Sequence, residues 1–200
     1  KTPGFKVHST PSARLIYLAL DSSRDESPFV TDAEGKPLVP NPLKDVRVRQ
    51  ALAKMVNGPA IVDRLLNGAG VPAGQLVPPG VLGHEPSLKP IAFDLAGAKA
   101  LLAEAGVKDG FGLTIHSSND RFAGDKDIAQ ALGQMFSRGG IKINGVVTQP
   151  YNVYAGAATK QSFSAFIFSL GNTTPTSGPG LRNLFMTNDP KAGTGGSSWC

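Results

Sequence analysis

Two short polar segments of this sequence carry residue types that recognise small anionic or zwitterionic molecules. The first, residues 117–122, follows an apolar run and contains Arg121. A guanidinium offers five donors in a fixed planar fork, which suits a carboxylate. The second, residues 171–174, follows an apolar run that ends at Leu170 and contains Asn172, whose amide both donates and accepts. Because ligands of open α/β sheets bind beyond the carboxyl ends of strands, both segments are predicted to bind a ligand.

Each segment also has a structural interpretation that the sequence leaves open. Arg121 has Asp120 and Asp125 close by in sequence, so a surface ion pair would occupy its side chain. The polar run at 172–174 is also typical of an ordinary turn. His116, at the end of the preceding apolar run, either lines a cleft or is a hydrogen-bonded structural residue.

Motifs for catalysis, metals and cofactors are absent from the sequence. It contains no G-x-S-x-G pentapeptide for a nucleophile elbow. The glycine-rich run 193–198 has no lysine for a phosphate-binding loop, and the glycines of 68–74 follow a predicted helix instead of a strand. The three histidines have no second histidine or cysteine two to four residues away. We therefore predict no catalytic residue, no metal and no cofactor.

Composition excludes several classes of protein. The chain has 200 residues, 40% hydrophobic and 18% charged, with a formal net charge of +5, which is ordinary for a globular protein. The densest basic cluster, residues 44–49, holds three cations with an acid among them. We interpret it as a solvated helix face and expect no nucleic-acid partner. No apolar stretch reaches the roughly 18 residues of a membrane span. The 24 glycines and 16 prolines predict long loops.

The candidate residues must be positioned by elements that the apolar periodicity predicts. In the first half these elements are the strand 13–20 and the helices 45–56, 59–66 and 94–105. Asp45 and Asp94 are predicted to cap the first and third helices, because an aspartate precedes each apolar-periodic run. Loops over 21–42 and 68–93 separate these elements.

The second half of the chain alternates strands with helices. Its predicted elements are the strands 111–116, 141–148 and 164–170, the helices 125–138 and 150–160, and a short helix near 181–185. A turn over 117–124 carries Arg121. The β-α-β-α-β alternation across 113–170 predicts an α/β fold in which helices pack on a sheet.

Four segments, in order, resemble a known family. Residues 45–52 (DVRVRQAL), followed by Ile61 and Val62, are similar to its D-x-R-V-R-Q-A…I-V stretch. The other three matches are FDLAGAKALLAEAG at 93–106, DGFGL at 109–113 and GIKI at 140–143. They resemble the family's Y-D-P-x-x-A-K-x-L-L-A-E-A-G, D-G-F-x-L and G-I-x-V segments. The family is that of the extracytoplasmic solute-binding proteins of peptide/nickel ABC importers, family 5.

This resemblance implies a fold and a function. It implies one lobe of a type II periplasmic-binding-protein-like fold, with a mixed sheet flanked by helices. The chain 1–200 would be the second lobe alone, with residues 1–20 near the hinge. The first lobe and a signal peptide would lie outside it. The protein would be periplasmic or extracytoplasmic, and it would deliver a peptide-like or other small solute to ABC permease subunits. Alternatives are a sensor or chaperone with the same fold, and an α/β hydrolase.

The resemblance also implies site residues. On this lobe the family's cleft residues come from the turn after the strand that follows the A-E-A-G helix, here Asn119, Asp120 and Arg121. They also come from the end of the last strand, where peptide binders carry G-W-x-x-D. The matching residues here are Leu170, Gly171, Asn172 and Thr173, so leucine replaces the tryptophan and threonine replaces the aspartate that pairs with the ligand's α-ammonium. Because a buried ammonium needs a charged partner, we expect a carboxylate-bearing solute instead of a peptide anchored in that way.

Overall fold

The computed structural model describes residues 4, 6, 8, 10, 12–171, 174–187, 189 and 191–195. The strands are β1 (Arg14–Leu20), β2 (Val30–Thr31), β3 (Gly112–Ser118), β4 (Lys142–Gln149) and β5 (Ala165–Gly171). The helices are α1 (Val46–Met55), α2 (Gly58–Leu65), α3 (Leu95–Glu104), α4 (Asp125–Gly139), α5 (Tyr151–Thr159) and α6 (Gly178–Leu184). A 3₁₀ turn covers Pro42–Lys44. The mixed sheet with flanking helices confirms the predicted fold class.

The sheet is organised around β3. Along one side, β4 pairs with it in parallel from Gly112 to Ser118. On the other side, β2 pairs antiparallel with the first two residues of β3, and β5 pairs in parallel with Ile115 and His116. The outermost strand on that side is β1, which is antiparallel to β5. The carboxyl ends of β3, β4 and β5 therefore share one edge of the sheet with the start of β1.

Apolar side chains bury both faces of the sheet. On one face Leu113 and Ile115 of β3 pack with α1, α3 and α4, in a cluster that includes Leu52, Leu102 and Phe136. The opposite face carries an aromatic cluster to which α5 and α6 contribute side chains. Its buried members are Tyr154, Ala158, Phe163, Phe166 and Leu184. Alternate residues of β5 belong to the two clusters, as expected for a strand covered on both faces.

The two predicted helix caps are present. The Asp45 side chain accepts a hydrogen bond from the Arg47 backbone N–H, and α1 begins at Val46. The Asp94 side chain accepts one from the Gly97 backbone N–H and also contacts Lys54. Each carboxylate satisfies a backbone donor that the first turn of a helix leaves unpaired.

Two sequence-based boundaries were wrong. The segment 21–42 is not entirely loop, because Val30–Thr31 pairs with the start of β3 and a 3₁₀ turn starts at Pro42. The predicted turn over 117–124 begins too early, since β3 extends to Ser118. The two missed sets of strand residues, in β2 and at the end of β3, have the same cause: pairing with a distant strand, which local composition does not encode, extends the regular structure.

Candidate ligand-binding site

The candidate site lies at the sheet edge where three parallel strands end. Ser118, the last residue of β3, is level with Gln149 at the end of β4. Gly171 at the end of β5 is level with Arg14 at the start of β1. The two polar segments singled out in the sequence thus follow neighbouring strands at one edge, which is where ligands of open α/β sheets bind.

Arg121 is exposed in the turn that follows β3. Its guanidinium carbon lies 4.6 Å from the centroid of the Tyr151 ring, a distance typical of a cation–π contact. No ion pair within the described part of the chain includes Arg121, so the pairs with Asp120 and Asp125 that the sequence allowed are not formed. Within the described residues, the guanidinium N–H groups of Arg121 therefore do not pair with a carboxylate of this chain.

Two hydrogen bonds, one between backbone groups and one to a side chain, tie the same turn to the next strand and helix. The Asn119 N–H donates to the Gln149 carbonyl at 3.0 Å. The Asp120 Oδ1 accepts from the Tyr151 N–H at 2.7 Å, where α5 begins. Asn119 and Asp120 are both exposed at the edge. Asp120, which precedes Arg121, therefore holds the backbone of Tyr151, whose ring contacts the Arg121 guanidinium.

The hydrogen bonds of Asp125 in this turn were not predicted from the sequence. Asp125 is 3% exposed, and its carboxylate accepts hydrogen bonds from the Ser118 hydroxyl at 2.9 Å and the Arg121 N–H at 3.0 Å through Oδ2. Its Oδ1 accepts from the Lys126 N–H at 2.8 Å. From sequence it was only a candidate ion-pair partner and the first residue of a helix. An aspartate in the first turn of a helix, directly after a glycine, was the available signal.

The end of β5 forms the other half of the edge. Leu170 is half-buried and packs with the aromatic cluster, and Gly171 lies opposite Arg14. A Cβ at Gly171 would be 3.6 Å from the Arg14 Nη2, an ordinary van der Waals contact, so the Arg14 side chain lies beside this residue. Arg14, which the sequence analysis did not select, donates through Nη1 to the Ser169 hydroxyl at 3.0 Å. Two further predicted site residues, Asn172 and Thr173, lie outside the described residues.

His116 does not line a cleft. It is 4% exposed and lies between two rings, 4.2 Å from the centroid of Phe163 and 4.6 Å from that of Phe29. Burial lowers the pKa of His116 from 6.5 to about 4, and a hydrogen bond with the Ala165 backbone offsets only part of that effect. Its Nδ1 has no hydrogen-bond partner among the described residues. The imidazole is therefore neutral and part of the core at neutral pH.

Two general features of the structure bear on function. Within the described residues, no group of three or more His, Cys, Asp and Glu side chains is arranged to hold a metal ion. In the same part of the chain, every helix is too short or too polar to cross a membrane.

Comparison with known proteins identifies the family. The chain belongs to the bacterial extracellular solute-binding proteins, family 5, because the sequence profile of the middle region of that family matches residues 1–192. A dipeptide-binding protein of Escherichia coli (strain K12) is 45% identical over 74 residues, which is 37% of this chain and 14% of that protein. The glutathione-binding protein GsiB of the same strain is 36% identical over 101 residues, covering 50% of this chain and 19% of that protein.

Solved structures place the fold in the same group. The structure of HbpA2 from Haemophilus parasuis matches with a TM-score of 0.68 and 25% sequence identity, over 86% of this chain and 33% of that chain. The match therefore spans about a third of the HbpA2 chain, and the curated relatives are matched over less than a fifth of their length. The fold is that of periplasmic binding proteins of type II.

Proposed function

We propose that this chain is one lobe of the solute-binding component of an ABC importer, and that its sheet edge binds the carboxylate of a peptide-like or other small solute. The observation that carries the proposal is the placement of Arg121. Its side chain is exposed beyond the end of β3, rests on Tyr151 and makes no ion pair in the described part of the chain.

The geometry of Arg121 favours a carboxylate as its partner. The guanidinium carbon lies 4.6 Å from the centroid of the Tyr151 ring, and no ion pair in the described part of the chain includes Arg121, so its N–H groups are available to a ligand. Two parallel N–H···O bonds from a guanidinium to a carboxylate are among the strongest hydrogen-bonding arrangements in proteins. A carboxamide offers one oxygen and a competing donor, so it satisfies the same N–H groups poorly.

The similar proteins support this class of ligand. One is named for binding dipeptides and another for binding glutathione, and both kinds of molecule carry a free carboxylate. Leu170 and Thr173 stand where peptide binders of the family carry tryptophan and aspartate, so this segment supplies no carboxylate for an α-ammonium. We therefore assign Asn119, Asp120 and Arg121 to one half of the site and Leu170, Gly171, Asn172 and Thr173 to the other.

Membership of an extracellular solute-binding family supports the biological role that we propose. The complete protein would hold the solute between this lobe and a second lobe of the same chain, closing by hinge motion. It would work outside the cytoplasm, after export by a signal peptide, and present the solute to the permease subunits of the importer. In this proposal the protein is a receptor and not an enzyme, and it uses no cofactor or nucleic-acid partner.

Isothermal calorimetry on the complete protein tests the proposal. The probes are the dipeptide Leu-Leu, as the free acid and as the C-terminal amide, and glutathione, as the free acid and with both of its carboxylates converted to amides. We expect at least one free acid to bind more tightly than its amide, and Arg121→Ala to weaken that binding at least tenfold, about 1.4 kcal/mol. The matched control is Arg138→Ala, which removes an exposed arginine in the last turn of α4. This position is at the opposite end of α4 from the turn that carries Arg121.

Two results would contradict the proposal. One is binding that does not distinguish the acids from the amides. The other is an Arg121→Ala protein that binds as tightly as the Arg138→Ala control.

A further inference from the structure

We infer that Asp125 is the positioning residue of the site, holding Arg121 in the orientation that recognises a carboxylate. This inference rests on the proposed function and deepens it. It assigns the selectivity for carboxylates to a buried side chain that does not itself touch the ligand.

The hydrogen bonds of Asp125 span the whole turn. Its carboxylate joins the last residue of β3, Ser118, to the Arg121 N–H and to the Lys126 N–H in the first turn of α4. One side chain therefore fixes the start, middle and end of the segment that carries Arg121. At 3% exposure these bonds are shielded from competing water, and the positive end of α4 favours the negative charge.

Arg121 is restrained at both ends of its side chain. Asp125 fixes its main chain, and the Tyr151 ring lies under its guanidinium at 4.6 Å. Tyr151 is itself tied to the turn, because its N–H donates to Asp120 at 2.7 Å. A side chain that is already ordered in the unliganded protein loses little rotamer entropy on binding, so more of the interaction energy appears as affinity.

This arrangement makes a specific claim about selectivity. A mobile guanidinium still attracts anions, but it cannot keep both in-plane N–H groups aligned with the two oxygens of one carboxylate. The ratio of the affinity for a free acid to that for its amide therefore reports the positioning of Arg121. Thermal stability alone does not report it.

The test compares variants of Asp125 in the complete protein, with the acid and amide probes named above. Serine suits the start of a helix but is too short to reach the Arg121 N–H, so Asp125→Ser should lower the acid-to-amide ratio at least tenfold. Asp125→Asn keeps one oxygen that can accept from the Arg121 N–H, and it should retain the ratio within about threefold while its Tm falls. Asp127→Ser, at an exposed aspartate in the same helical turn, is the control and should leave the ratio unchanged.

The outcomes separate the two proposals. If the unaltered protein binds neither acid, or does not distinguish acid from amide, the proposed function fails and this inference fails with it. If the unaltered protein is selective and Asp125→Ser remains as selective, the proposed function stands and the positioning role is overturned. The positioning role is also overturned if Asp125→Asn loses as much of the acid-to-amide ratio as Asp125→Ser does, in step with its Tm. That pattern would indicate a merely structural role for Asp125. An NMR order parameter for the Arg121 Nε–H that drops only in the Ser variant supports the positioning role.

Discussion

Replacing His116 with phenylalanine should remove the part of this chain's loss of stability between pH 7.5 and pH 5 that comes from protonating the buried imidazole. The imidazole is 4% exposed and sits between Phe29 and Phe163. A phenylalanine ring fits the same aromatic surroundings without a nitrogen to protonate. The substitution therefore separates the cost of burying a charge from the packing of the ring.

The magnitude follows from the two pKa values of His116. The pKa is 6.5 in the unfolded chain, and burial lowers it to about 4 in the folded chain. Between these values the unfolded chain binds more protons, so stability falls as the pH falls through this window and is fully present above it. The loss is about 2 kcal/mol at pH 5 and approaches about 3 kcal/mol near pH 4.

Urea unfolding followed by far-UV circular dichroism at several pH values from 7.5 to 5 measures the effect. The quantity of interest is the difference between the parent chain and His116→Phe, because other groups titrate equally in both. Burial raises the pKa of Asp21, but hydrogen bonds from Ser27 and Arg24 outweigh burial and hold it below 3.8. Its contribution is lost only at lower pH, outside this window. Equal losses in the two proteins, within about 0.5 kcal/mol, would refute the reasoning.

Two further predictions concern the stability of the fold. Gly110→Ala should destabilise the chain by at least about 2 kcal/mol, because φ is 77° and a Cβ would lie 1.9 Å from the Gly140 carbonyl oxygen. Gly106→Ala, with φ 79° and no atom within 4 Å, should cost only about 1 kcal/mol by urea unfolding, and equal costs would contradict the steric argument. Asp21→Asn should cost about 1–3 kcal/mol in the same assay, since it weakens the contact of the buried Asp21 carboxylate with the partly exposed Arg24, and an unchanged midpoint would exclude that role.

Local signals in the sequence were sufficient for most of the fold. The α1 and α3 helices were predicted with their capping residues because a cap and an apolar stripe both lie within one short segment. Strand pairing is not local in this way. The two residues of β2 are a strand only because they meet the start of β3, about 80 positions later. Likewise, Ser118 belongs to β3 because β4 continues alongside it.

The location of Arg121 was predictable from the sequence, whereas its role in binding stays a prediction. Arg121 was selected because a guanidinium after a strand suits a carboxylate, and the structure leaves it exposed at the expected edge. Its surroundings were not predictable, since Tyr151 comes 30 positions later and reaches Arg121 only through the register of β4 with β3. Asp125 is close to Arg121 in sequence. Its carboxylate could pair with the Arg121 guanidinium or accept from the Arg121 backbone N–H, and the sequence does not distinguish these two directions of the side chain.

The same aromatic cluster links the stability of the sheet to the rigidity of the site. The Tyr151 ring that supports Arg121 lies 6.5 Å from Phe168, which in turn lies 6.3 Å from Tyr154, and these contacts lead into the buried rings around His116. The Tyr151 ring that contacts Arg121 is thus continuous with the core, as the proposed preorganisation of Arg121 requires. Because His116→Phe keeps a ring in this cluster, it should alter acid stability while leaving the acid-to-amide ratio at neutral pH unchanged. Asp125→Ser should lower the acid-to-amide ratio and leave the His116-dependent loss of stability between pH 7.5 and pH 5 in place, so the two substitutions separate the titration of the core from the positioning of Arg121.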